Sequence, residues 1–95
     1  MIGKDFYNMT TKRIKLCELA VGDLAEVCTL LNRRAIRRRL QDLGLVEDTV
    51  VECIGKSPGG GMSAYLIRGA VIALRDEDAA LVLVTPQETG GAQWD

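Results

Sequence analysis

The chain has 95 residues, 47% of them hydrophobic, and its 12 basic against 13 acidic side chains leave a net charge of −1. That length makes one small domain with no room for a large catalytic cleft, and the charge balance excludes the overall basic footprint of a general nucleic-acid binder. There is no histidine, and Cys17, Cys28 and Cys53 show no C-x-x-C spacing, so the usual Ser/His and Cys/His pairs and the paired ligands of zinc or iron–sulfur sites are missing.

Residues 1–15 mix charged side chains with Phe6, Tyr7 and Met9 without a sustained period, and read as a loose N-terminal extension. A short apolar patch, Leu16 to Leu19, leads to the turn chemistry of Gly22 and Asp23. Leu24 to Leu31 then reads as a strand, with Ala25, Val27 and Leu31 on one face. The next stretch, Asn32 to Leu45, is a helix. Ile36, Leu40 and Leu43 share a narrow arc that faces a core, Arg34, Arg37, Arg38 and Gln41 cover the opposite side, and Arg33 and Arg39 flank it. Asn32 is the expected N-cap. At the other end Gly44 can take the left-handed conformation that stops a helix, which places Leu45 for a Schellman contact back onto Leu40.

After a second turn at Val46 to Asp48, Thr49 to Ile54 is a β-branched strand with Val51 and Cys53 on one face. Gly55 to Gly61 holds Pro58 and three consecutive glycines, too few side chains to pack, and reads as a mobile loop. Met62 to Arg68 and Val71 to Arg75 form a hairpin closed at Gly69 and Ala70. Asp76 to Ala79 makes one acidic helical turn, and Leu81 to Val84 is a buried strand ended by Pro86. Residues 86–95, with the lone Trp94, read as a disordered tail. Four or five short strands with one α-helix inserted after the first predict a mainly β fold, a small barrel over residues 16–85 whose open end is plugged by Ile36, Leu40 and Leu43.

Gly55, Lys56 and Ser57 mimic the end of a phosphate-binding loop, but that loop begins with a glycine where this chain has Val50, and Pro58 stands where a helix should start. The arginine face is harder to set aside. Five of the eight arginines lie between Arg33 and Arg39, and those in the first turn oppose the helix dipole at a cost of about 0.3–1 kcal/mol each. An Arg38–Asp42 pair at i, i+4 recovers only about 0.2–0.5 kcal/mol. A plain solvated surface, a site for an acidic protein and a site for phosphate-bearing ligands or RNA all fit this pattern. Nothing upstream resembles a signal peptide and no apolar run approaches the roughly 18 residues that span a bilayer. A reducing cytoplasm is therefore the expected location, with membrane association only through a partner.

Four motifs occur in order: Leu16-x-x-Leu19-x-x-Gly22-Asp23, the run RRRLQDLGL from Arg37 to Leu45, Ser57-Pro58-x-Gly60, and Arg68-Gly69-x-x-x-Ala73-Leu74-Arg75. Together they resemble the FeoA family of small bacterial accessory proteins of ferrous iron transport, over about Leu16 to Thr85. Glu47 and Asp48 stand where that family often has Pro-Gly. The resemblance implies an SH3-like β-barrel of about five strands, no enzymatic activity, no cofactor and no obligatory metal. It also implies a cytoplasmic role as partner of FeoB, the membrane transporter with a GTP-binding domain. On that reading Arg34, Arg37, Arg38 and Gln41 are the candidate partner contacts, drawn from the helical wheel. Leu40, Leu43, Gly44 and Leu45 form the helix stop, Gly69 the hairpin turn, and homo-oligomerisation stays open. Two other readings remain: a free-standing SH3-like interaction module that regulates another metal-responsive protein, binding a proline-rich segment through groove residues such as Tyr65, and a small barrel binding RNA through its arginines.

Overall fold

The computed structural model describes residues 12–87. Its strands are β1 (Ile14–Lys15), β2 (Leu24–Leu30), β3 (Val50–Lys56), β4 (Met62–Ile67), β5 (Ala70–Arg75) and β6 (Val82–Pro86). Helix α1 (Arg34–Asp42) joins β2 to β3, a 3-10 turn at Leu16–Glu18 follows β1, and the short helix α2 (Asp76–Ala79) joins β5 to β6. The strands form one antiparallel sheet of order β1-β6-β2-β3-β4-β5. It curves around a single core that includes Val27, Val51, Tyr65, Ile67 and Val84.

The sheet therefore has six strands where about five were expected, and α1 follows the second strand. The additional strand is β1, whose Ile14 and Lys15, expected within the N-terminal extension, pair with Val84 and Leu83. Two residues carry no period, so only the partner strand reveals them. At the other end Pro86 belongs to β6 and pairs with Ala25, a terminal position where a missing N–H disturbs no interior rung. The extension proper and the Trp94 tail lie outside the described residues.

Alternation fails in β2 for a definable reason. Its register against β6 shifts between Val27 and Thr29, and the extra residue of a bulge reverses which side the following residues face. Leu30 is consequently buried and Leu31, expected inside, is 58% exposed. A second shift, between Cys53 and Gly55, interrupts the β3–β4 ladder, but alternation in β3 holds through it, with Val51 and Cys53 sealed and Ile54 on the surface.

The glycine-rich loop is not bare chain. Ser57 Oγ donates to the Gly60 carbonyl at 2.7 Å and accepts from the Met62 amide at 3.3 Å. The backbone closes the turn with Gly60 N–H to Ser57 O and Ser57 N–H to Met62 O, both at 2.9 Å. Asp76 then ties the loop to α2, accepting from Gly61 N–H at 3.2 Å and from the buried Ser63 hydroxyl at 2.9 Å. A loop with few side chains to pack, expected to be mobile, thus has backbone groups satisfied by one serine and one distant carboxylate. In the β4–β5 hairpin the turn residues are Arg68 (φ 51°) and Gly69 (φ 82°), between the paired Ile67 and Ala70. Consecutive positive φ values are the pattern of a type I′ turn, which matches the right-handed twist of the flanking strands.

Candidate functional site

Helix α1 is built differently at its two ends. At the stop, Gly44 (φ 108°) donates to the Gln41 carbonyl at 3.0 Å and Leu45 to the Leu40 carbonyl at 3.0 Å, the paired 5→2 and 6→1 bonds of a Schellman motif. Leu40 and Leu45 both enter the core, at 3% and 1% exposure. A Cβ on Gly44 would stand 3.2 Å from the Ile67 side chain, so the stop is also fitted against β4. Ile36 is packed at the margin of the core. Leu43, expected to help plug the barrel, is 44% exposed, because the helix ends at Asp42 and Leu43 is already the C-cap. Leu45, arriving after the reversal at Gly44, fills the core instead.

The helix start has no such provision. Arg33 occupies the N-cap position with no side-chain hydrogen bond to the first turn, and that turn contains no acidic residue. Asn32, expected to cap, is 3% exposed and turned away: its Nδ2 donates to the Asp78 carbonyl at 3.0 Å and its Oδ1 has no partner among the described residues. Its tertiary attachment to α2 has displaced its local use. None of the guanidinium groups of Arg33, Arg34, Arg37, Arg38 and Arg39 pairs with a carboxylate among the described residues, where the ion pair within 4.0 Å is Arg75–Glu77. The expected Arg38–Asp42 pair is not formed.

Two of the four wheel-derived contacts come together. Arg37 and Gln41 line an open groove of about 660 Å³ with Thr29 and Leu30 at the end of β2 and Val46, Glu47 and Asp48 after the helix. Arg34 and Arg38 lie on the exposed surface of α1 and do not line it. Residues of both signs line the groove, Arg37 on the helix and Glu47 and Asp48 on the turn after it. Asp48 holds φ 70°, the left-handed region that aspartate tolerates better than most residues. It is fixed there by Asp48 N–H to Val27 O at 2.8 Å and Val27 N–H to Thr49 O at 2.9 Å. The wheel could not find Glu47 and Asp48. The available signal was their presence where the resembled family often has Pro-Gly.

Tyr65 is fully buried and donates to the Leu16 carbonyl at 3.3 Å, and burial pushes its phenol up to about 12. It pins the 3-10 turn to β4 and cannot line a groove for a proline-rich segment. Among the described residues no group of three or more Cys, Asp or Glu side chains is placed to hold a metal ion. No described helix is long and apolar enough to cross a membrane.

An antiparallel barrel of short strands with one interrupting helix and one short helical turn before its last strand is an SH3-like domain, here carrying an arginine-covered helix beside a groove. The FeoA domain family matches residues 14–86, and the chain belongs to that family. It is similar to the FeoA protein of Chlorobium tepidum, at 32% identity over 86% of this chain and 81% of that one, with a TM-score of 0.75. Similar values hold for a FeoA-like protein of Clostridium acetobutylicum, at 31% identity, 82% and 91% coverage and a TM-score of 0.74. A zinc complex of Stenotrophomonas maltophilia FeoA matches at 34% identity over 73% of this chain and 86% of that one, with a TM-score of 0.63. That protein is described as a prokaryotic SH3-domain protein and a candidate activating factor of bacterial ferrous iron transport. A search among curated proteins gave no significant match.

Proposed function

We propose that this protein is a non-enzymatic accessory protein of ferrous iron uptake that binds the cytoplasmic part of a FeoB-type transporter through the exposed face of α1. The observation that carries the reading is the cluster of five arginines on one short helix and its N-cap, unpaired with any described carboxylate, in a chain whose overall charge is −1. Positive charge at an uncapped helix start opposes the helix dipole. A complementary acidic surface on a partner would offset that cost and steer the encounter. In this arrangement Arg34 and Arg38 meet the partner's surface carboxylates, while Arg37 and Gln41 receive a side chain entering the groove. Family membership supplies the transport context, and the description of the Stenotrophomonas protein points the same way. The protein acts in the cytoplasm and reaches the membrane through its partner, and iron is the transporter's cargo. A calorimetric titration with the transporter's isolated cytoplasmic domain, in GTP-like and GDP forms, tests this directly. Saturable binding that weakens with salt supports the proposal. Absence of heat and of co-sedimentation with either form at low salt refutes it.

A further inference from the structure

The sheet has two edges, and they are treated differently. One edge is β1, two residues long and ending in the exposed Lys15, a brief, charged strand of the kind that discourages further pairing. The other is β5, six residues in unbroken register with β4 from Met62–Arg75 to Ile67–Ala70. It contains no proline, lysine or bulge.

Its unpaired groups follow from the hairpin. A two-residue loop makes Ile67 and Ala70 a hydrogen-bonded pair, and antiparallel alternation then assigns Tyr65–Ile72 and Ser63–Leu74 to the same class. Val71, Ala73 and Arg75 must therefore turn their N–H and C=O groups to the outer side. None of these groups bonds to a described residue across that edge. Their side chains are exposed as well, and Val71, at 64%, is the most exposed large hydrophobic residue among those described.

We propose that β5 pairs antiparallel with β5 of a second copy of this chain, about a two-fold axis at Ile72. In that register Val71 of each copy lies opposite Ala73 of the other, and their outward backbone groups exchange hydrogen bonds. Arg75 crosses opposite Gly69, where there is no side chain to obstruct it. Arg68 falls opposite Asp76, so an ion pair closes each end of the ladder. Asp76 already accepts from Ser63 and Gly61, and a carboxylate retains lone pairs for a further donor. Shifting the axis to Ala73 also satisfies the backbone but sets Val71 against Arg75 and removes the Arg68–Asp76 pairing. The favoured register is self-complementary in both shape and charge, as an isologous contact requires. It also makes Leu66–Val71 of one copy continuous with Ala73–Ala64 of the other on the outer face of the sheet.

One strand pair makes a small interface, so the dimer is a weak, concentration-dependent one. Sedimentation velocity of the full chain under reducing conditions, from about 10 μM to about 1 mM, is expected to show reversible monomer–dimer exchange in that range. Val71→Lys would set a cation beside Arg75 of the second copy and weaken association about tenfold or more. Arg68→Glu, facing Asp76, does the same from the ends. Amide exchange supplies the register: Val71 and Ala73 gain protection only at high concentration, whereas Ile72 is protected throughout. A chain that stays monomeric at every concentration overturns the proposal, as does a dimer unaffected by both substitutions or one without concentration-dependent protection at Val71 and Ala73.

Discussion

The two ends of α1 contrast within a helix of nine residues. At its stop, the Gly44 and Leu45 amides reach the Gln41 and Leu40 carbonyls and two leucines lock into the core. At its start, no side chain caps, no acid faces the dipole, and arginines occupy Arg33 and Arg34. The asparagine best placed to cap is committed to Asp78. Optimisation for folding explains the first end and fails to explain the second. The difference teaches that the helix is held by its exit and by the Asn32 tether just before its N-cap, so the fold tolerates charges in the first turn that cost stability.

The stop should give the largest effects when broken. Leu40→Ala removes a core side chain at the point where helix and barrel meet, and denaturant unfolding is expected to show a loss of about 2–5 kcal/mol. Gly44→Ala forces a side chain into left-handed backbone and against Ile67, for about 1–2 kcal/mol from the backbone alone. A native-like unfolding midpoint for either variant would break the comparison from the structural side. Next comes Asn32→Ala, which deprives the Asp78 carbonyl of its donor but also removes an unpartnered buried oxygen. The net loss should be modest, about 0.5–1 kcal/mol, with the change in helix content reporting whether the tether orients α1. Arg34→Glu has the smallest expected effect and the most informative sign. An acid in the first turn suits the dipole, so thermal unfolding should show a gain of about 0.3–1 kcal/mol. A loss would mean that Arg34 has a structural duty that the described contacts do not include.

Sequence pattern reached some of this fold and not the rest, for identifiable reasons. Local chemistry was legible: Leu40, Gly44 and Leu45 encode a helix reversal within six residues, and the alternation around Val51 and Cys53 encodes a strand face. Features set by a distant partner were not. The bulge that exchanges Leu30 for Leu31 depends on how β2 meets β6, and β1 exists only because Val84 and Leu83 are there to pair with it. Asn32 is a good cap by composition, yet Asp78, far along the chain, claims its amide. The candidate site divides along the same line. A helical wheel finds Arg34, Arg37, Arg38 and Gln41 because they repeat on one element. It cannot find that Arg37 and Gln41 share a groove with Glu47 and Asp48, since that groove is closed by the turn after the helix.

The central claim is that the helix stop serves the fold and the arginine face serves binding. One double variant, Arg37→Glu with Arg38→Glu, tests it most directly when unfolding midpoint and affinity for the transporter's cytoplasmic domain are measured on the same preparation. The account predicts a midpoint within about a degree or two of the unmodified chain, as surface substitutions generally give, together with an affinity at least about tenfold weaker. An unchanged affinity in the folded variant would contradict it and remove the α1 face from the interface.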